Sequence, residues 1–338
     1  MGGLYKMGVW NALRSIHRSS LTVLNYHRVD NYSRPDFQTY KSNVSATPEL
    51  FALQMEYVKR HYNVISCREL FAALRNEKDL PPYPAIITFD DGYHDNLAHA
   101  YPVLKRHGLP AIIFLATDYI GKSIPFYWDY AAYCFSQTRL NSLPLSARET
   151  VFWYDNVSRN KAVSRWINSV KLMPDGERQA RVNSLADILD VSVPGDAFAG
   201  LCLTWDQVRE MRNNGIEFGA HTVHHPILTR VSLAQAESEL VDSKRKVEAE
   251  LGEAVTSFAY PNGGISDYSA PIVDLVRRAG FGLAFTLIPG PVRNSIVRKK
   301  PLTIRRIFLA NTDQLPRFAA KLVGTERLAS LSTLPRRR

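Results

Sequence analysis

Two stretches of this chain, Ala85-Ile-Ile-Thr-Phe89 and Ala111-Ile-Ile-Phe-Leu-Ala116, are continuous apolar runs rich in β-branched side chains. A strand with one wet face alternates apolar and polar residues, so a run without alternation predicts burial on both faces. Sheets buried on both faces are mostly parallel, with helices covering them. The rest of the chain supplies those helices. Thr47-Pro48 is a cap with proline at the first helical position, followed by Phe51, Met55 and Val58 at helical spacing. Asn96–His107 stops at Gly108, Thr204 opens a helix to Asn214, and Ser232 opens one closed by Gly252. Further strands are predicted at Leu21–Tyr26, Asn63–Ser66, Ile216–Ala220, Thr256–Tyr260, Gly282–Thr286 and Ile304–Leu309, about eight in all. That number points to a (β/α) barrel, with an open doubly wound sheet as the alternative.

In both architectures chemistry sits at the carboxyl ends of the strands. The residues there are His27, Asp90, Asp91, Thr117, His221 and Tyr260. Asp90 and Asp91 are adjacent and followed by Gly92. Neighbouring side chains at a strand end point different ways, so one carboxylate can bind a metal while the other faces a substrate water. An Asp-Asp-Gly turn closing a strand is the plainer reading. His221-Thr-Val-His-His225 spaces two imidazoles four residues apart, which on a helical turn aims both at one point. Either motif alone is weak. Together they make a two-His, one-Asp site for a divalent ion with positions left open for water and substrate.

With Leu203-Thr-Trp-Asp-Gln-Val before the second motif and Phe258-Ala-Tyr-Pro-Asn-Gly263 after it, these segments resemble the polysaccharide deacetylase family, the NodB-homology fold of carbohydrate esterase family four. The likeness covers residues 21–120 and 201–310. It implies α/β architecture, a distorted (β/α) barrel, and removal of acetyl groups from sugars with one divalent metal. Residue by residue, Asp90 resembles the catalytic base, and Asp91, His221 and His225 the metal ligands. Zinc is the expected ion, and cobalt, nickel or iron suit the same donors. Tyr260, Pro261 and Asn262 align with the family's substrate-binding third motif, where Asn262 would offer a backbone N–H to the acetyl oxygen. Two family residues are missing: Ala259 stands where an arginine usually orients the base, and no histidine follows His225. His27 is expected to replace the missing general acid, because Asn25-Tyr-His27 is similar to the N-terminal segment of the poly-N-acetylglucosamine branch.

Residues 121–200 break the strand pattern and read as a mostly helical insertion. Its aromatics are expected to form mainly a core, with Phe126, Tyr127 and Trp128 exposed, and Trp128 a candidate sugar platform. Residues 1–20 read as a basic arm and 311–338 as a disordered basic tail. Net charge is +10, which calls for an anionic neighbour. No nucleic-acid motif accompanies it. The clusters Arg298-Lys-Lys300, Arg305-Arg306 and Arg336-Arg-Arg338 have two readings, solvated surface or peripheral attachment to a membrane carrying lipid-linked glycans. No apolar run approaches a span of about 20 residues. Cys67, Cys134 and Cys202 form no Cys-x-x-Cys and read as buried thiols, so a cytoplasmic protein is expected. The sequence thus points to an N-deacetylase of sugars in polysaccharide or glycoconjugate synthesis. The competing functions are an O-acetyl esterase, a cyclic-amide hydrolase and a non-catalytic glycan binder.

Overall fold

The apolar runs form parallel strands. The computed structural model describes residues 3, 9–146 and 148–325. Its central strands are β1 (Ser20–Tyr26), β2 (Pro84–Asp91), β3 (Ala111–Leu115), β4 (Ile216–Ala220), β5 (Ser257–Ala259), β6 (Leu283–Phe285) and β7 (Ile307–Phe308). Every residue of β1 and β2 is buried, which is why neither alternates in sequence. The order β6-β5-β4-β3-β2-β1 is parallel throughout. β7 then pairs in parallel with β1, Leu24 opposite Ile307, while Ile304 just ahead of it bridges to Phe285 of β6. One segment thus touches both ends of the sheet and curls it into a distorted (β/α) barrel. Phe114 of β3 and Phe285 of β6 meet at 5.4 Å across the ring. Gly219 of β4 is required there, since a Cβ would lie 2.6 Å from the Phe114 ring. The run at Asn63–Val64 stays outside the ring, pairing with Pro84 and Ala85 before β3 joins β2 at Thr88.

The predicted caps form. Thr47 accepts from the Leu50 N–H, Thr204 and Gln207 make a reciprocal capping box, and Gly108 and Gly252 end their helices with φ of 63° and 65°. Residues 121–200 hold the helices Tyr127–Gln137, Asn156–Lys171, Asp175–Asn183 and Leu185–Ile188. They also hold a hairpin, Ser142–Ser146 against Glu149–Phe152, in a stretch where little strand pattern was expected. Its buried residues, Leu143, Leu145 and Val151, alternate with exposed ones, so the period-two signal is present but short. Trp153 and Trp166 are fully buried and supply the core of this region. Asp129 ties it to the barrel, accepting from the Tyr40 N–H at 2.9 Å and the Tyr93 hydroxyl at 2.7 Å.

The segment expected to be a disordered tail begins with a helix, Leu315–Leu322. Leu315, Phe318, Ala319 and Leu322 recur at helical spacing, and Phe318 packs edge-on to Tyr57 at 5.9 Å. Lys321, a basic residue of that segment, is buried against Asp313 at 2.7 Å. Arg336–Arg338 lie outside the described residues. Of the expected N-terminal arm, Val9–Arg14 is helical, with the Arg14 guanidinium 4.5 Å above the Tyr83 ring. Among the described residues no helix is long and apolar enough to cross a membrane.

Candidate active site

β2 delivers both carboxylates at its carboxyl end and then turns sharply. Asp91 has φ 77° and Gly92 φ 83°, and a Cβ on Gly92 would come within 2.8 Å of Ile120 and Leu115. This turn aims Asp91 away from Asp90. Asp91, Thr222, His225 and Asn262 are four of the seven non-glycine residues with positive φ among those described. Such backbone costs of order 1–3 kcal/mol each and persists where surrounding structure enforces it.

Asp91 Oδ1 lies 3.6 Å from His221 Nε2 and 3.4 Å from His225 Nε2, and the two imidazole nitrogens are 3.2 Å apart. Donors about 2.0–2.1 Å from a tetrahedral ion sit roughly 3.3–3.4 Å from one another. The three side chains are buried, and among the described residues they are the one such group able to hold an ion. Two further observations fit a cation. Both Asp91 oxygens are buried without a hydrogen-bond partner. Burial, reinforced by Asp90, pushes the Asp91 carboxyl well above the usual range, so the ionised form lacks compensation. Burial also lowers the proton affinity of His221 and His225 and keeps both imidazoles neutral, as metal ligands must be. His221 Nδ1 is 2.7 Å from the Ala259 carbonyl, which fixes the tautomer and leaves the Nε2 lone pair facing Asp91. His224 points elsewhere, exposed and 2.7 Å from Glu239.

Asp90 is held differently. Arg306 Nη1 donates to its Oδ1 at 2.6 Å and Nη2 to its Oδ2 at 2.8 Å, a bidentate pair, and Asn25 Nδ2 donates to Oδ2 at 2.9 Å. Burial would raise the Asp90 proton affinity. Arg306, with His221 and His27, outweighs it and holds the carboxyl well below its usual range. The expectation that the base lacks an orienting arginine at Ala259 is therefore corrected. The arginine comes from the segment leading into β7, whose register on β1 brings it beside Asp90. Arg306 is completely buried, so its assignment to a solvated or membrane-facing basic cluster is also wrong.

His27, just past β1, lies with its Nε2 4.0 Å from Asp90 Oδ2 and its ring edge-on to Phe308. Burial, with help from Arg306 and His221 and against Asp90, lowers its pKa to about 4. His27, Asp91, Trp128, His225 and Asn262 line one open pocket of about 580 Å³. Tyr260 is fully buried and Pro261 is buried, neither lines this pocket, and the Tyr260 hydroxyl donates to the Leu302 carbonyl at 3.0 Å, so the Tyr260 side chain packs the barrel and does not face a sugar.

Phe126 and Trp128 are buried, against expectation. Their rings stack at 4.7 Å, and the Trp128 ring stands edge-on to His225 at 5.0 Å. Trp128 Nε1 donates to the Tyr93 hydroxyl, which donates to Asp129. Trp128 thus packs against the His225 imidazole, with no broad face open to stack a sugar. Trp128→Ala is expected to cost about 3–5 kcal/mol of stability. It should lower turnover of small and oligomeric acetylated substrates alike. Calorimetry beside acetate release checks this, and an unchanged melting temperature with loss confined to oligomers would restore the platform reading.

A buried Asp–His–His group beside an arginine-held carboxylate, at the mouth of a (β/α) barrel, is the arrangement of a hydrolase. The polysaccharide deacetylase family model matches residues 77–283, more than half of the chain, and the chain belongs to that family. YxkH of Bacillus subtilis is 22% identical over 273 residues, 80% of this chain, and the match spans 66% of that protein's length, just under two thirds. The poly-β-1,6-N-acetyl-D-glucosamine N-deacetylase of Staphylococcus epidermidis is 25% identical over 223 residues, 60% of this chain and 72% of its own. Among solved structures, the Streptococcus pyogenes deacetylase PplD superposes with a TM-score of 0.60 at 19% identity, covering 90% of this chain and 98% of that one. IcaB of Ammonifex degensii gives 0.58 at 20% identity, with 89% and 96% covered. These likenesses establish the fold.

Proposed function

We propose that the protein is a metal-dependent N-deacetylase of an N-acetylated sugar in polysaccharide or glycoconjugate synthesis. The observation that carries this reading is the division between adjacent carboxylates, Asp91 unpartnered among two imidazoles and Asp90 clamped by Arg306. The S. epidermidis relative supports the substrate class. Asp91, His221 and His225 would hold the ion, zinc being the best match to their donors and cobalt, nickel or iron alternatives. When bound, the ion acidifies a water and polarises the acetyl oxygen.

The chain's own groups do the rest. Asp90, kept ionised by Arg306 and oriented by Asn25, removes a proton from the attacking water. The Asn262 backbone N–H would donate to the acetyl oxygen as negative charge develops there. The departing amine needs a proton. His27 is neutral at rest and, once protonated, is a stronger acid than an ordinary imidazole. It therefore takes the proton gathered by Asp90 and passes it to the leaving nitrogen. The three buried thiols, Cys67, Cys134 and Cys202, suit a cytoplasmic setting. Peripheral membrane attachment and a lipid-linked substrate remain parts of this proposal.

The experiment is acetate release by the metal-loaded protein from N-acetylated chito-oligosaccharides and from an O-acetylated sugar. His27→Ala should lower turnover of the amide by ~10²–10⁴. The ester should lose less, because an alkoxide leaves more readily than an amide anion. Hydrolysis of the ester alone would make the protein an esterase, and full amide turnover in His27→Ala would remove that residue from the mechanism.

A further inference from the structure

Two cations stand in the wall of the pocket that the proposed chemistry does not use. Lys171 ends the helix Asn156–Lys171 of the inserted region, and Arg230 ends the short 3-10 turn that follows the second histidine motif. Both line the pocket that contains His27, Asp91 and His225. Among the described residues neither side chain has a carboxylate within 4.0 Å, whereas most basic side chains near acids in this protein are paired. Asp267, the other acid in the pocket wall, is engaged by the Gly264 N–H at 2.8 Å. Arg178, which also acts on His225, is paired with Asp175. Lys171 is half-buried, and Asp267 and Asp91 of the same wall act on its ammonium only from a distance, against the burial that disfavours its charge.

We propose that Lys171 and Arg230 form an anion subsite, so that the preferred substrate carries a negative group, a carboxylate or a phosphate, near its acetamido sugar. This inference rests on the deacetylase reading for the sugar but on these two side chains for the charge. The two residues come from separate parts of the chain, the insertion and the barrel, and both line this pocket. A guanidinium and an ammonium in the wall of one pocket suit an oxyanion and offer little to a neutral hydroxyl. The +10 net charge of the chain favours approach of the same ligands.

The test measures equilibrium binding by titration calorimetry, which needs no turnover. The probes are N-acetylated chitotetraose as the neutral ligand, a hyaluronan tetrasaccharide for carboxylate and N,N′-diacetylchitobiose 1-phosphate for phosphate. At least one anionic probe should bind about tenfold or more tightly than chitotetraose, an advantage that shrinks as salt is raised. K171M and R230M should each reduce that advantage, and the double variant should abolish it. Arg230 is exposed, so R230M alone keeps the test valid if K171M is unstable. Which probe wins separates a uronate from a phosphate source. Equal binding of all three probes, or an advantage unchanged in R230M and the double variant, overturns the subsite. Charge-dependent binding without acetate release would support the subsite and count against the deacetylase.

Discussion

Ala in place of Asp91, His221 or His225 is expected to remove bound metal and activity together. The three donors lie within 4.8 Å of one another, and each is buried. Two remaining donors cannot complete a three-ligand catalytic site. Asp91→Ala has a second consequence. It deletes a buried carboxylate whose oxygens have no hydrogen-bond partner, so the metal-free variant should be no less stable than the metal-free parent. Chelated proteins compared by thermal denaturation check this. Loss of activity to background with metal retained would show that the ion is held elsewhere.

Arg306→Met is expected to be the most damaging substitution outside the ligand set. The side chain is fully buried, makes two hydrogen bonds to Asp90, and also donates to the Thr286 carbonyl at 3.0 Å. Removing one partner of a buried ion pair typically costs 3–5 kcal/mol, because the other charge is left unpaired. The sign of the pH effect follows. Burial alone raises the Asp90 proton affinity, and Arg306 is the largest influence opposing it. Without the guanidinium the carboxyl must titrate higher, by about 1–3 units. The acid limb of the kcat/KM profile should move up in pH, because Arg306 also lowers the proton affinity of His27, while metal content stays near the parent value. Arg306→Lys keeps charge without the planar fork and should fall between. A drop in rate with an unmoved acid limb would mean that Arg306 only braces the barrel.

Much of this site is legible in the sequence because its residues terminate strong signals. Asp90 and Asp91 close one of the two strong apolar runs, and the histidines follow Ile216–Ala220. Burial on both faces of a strand leaves few alternatives for its end. Arg306 is hidden for the opposite reason. It sits in Thr303-Ile-Arg-Arg-Ile-Phe, where it looks like half of a basic surface pair. The long-range pairing of β7 with β1 is what buries Arg306 beside Asp90. A usable signal was the flanking pattern, since Ile304, Arg306 and Phe308 share one face of an extended run. Trp128 is ambiguous in sequence because an aromatic cluster after a strand end looks the same whether it lines a mouth or packs beneath it. The Leu315–Leu322 helix carries its apolar residues at helical spacing, but it shares a segment with Arg336-Arg-Arg338, whose basic composition signals a tail.

The most direct test of the account is metal stoichiometry and acetate release measured together on Asp90→Asn and the parent protein. Asn keeps the shape of Asp90 and can still accept from Arg306, but it cannot take a proton from water. The account predicts one bound ion per chain in both proteins and a fall of ~10²–10⁴ or more in acetate release for the variant. Loss of the ion from Asp90→Asn, or acetate release near the parent rate, would contradict the division of roles between the two carboxylates.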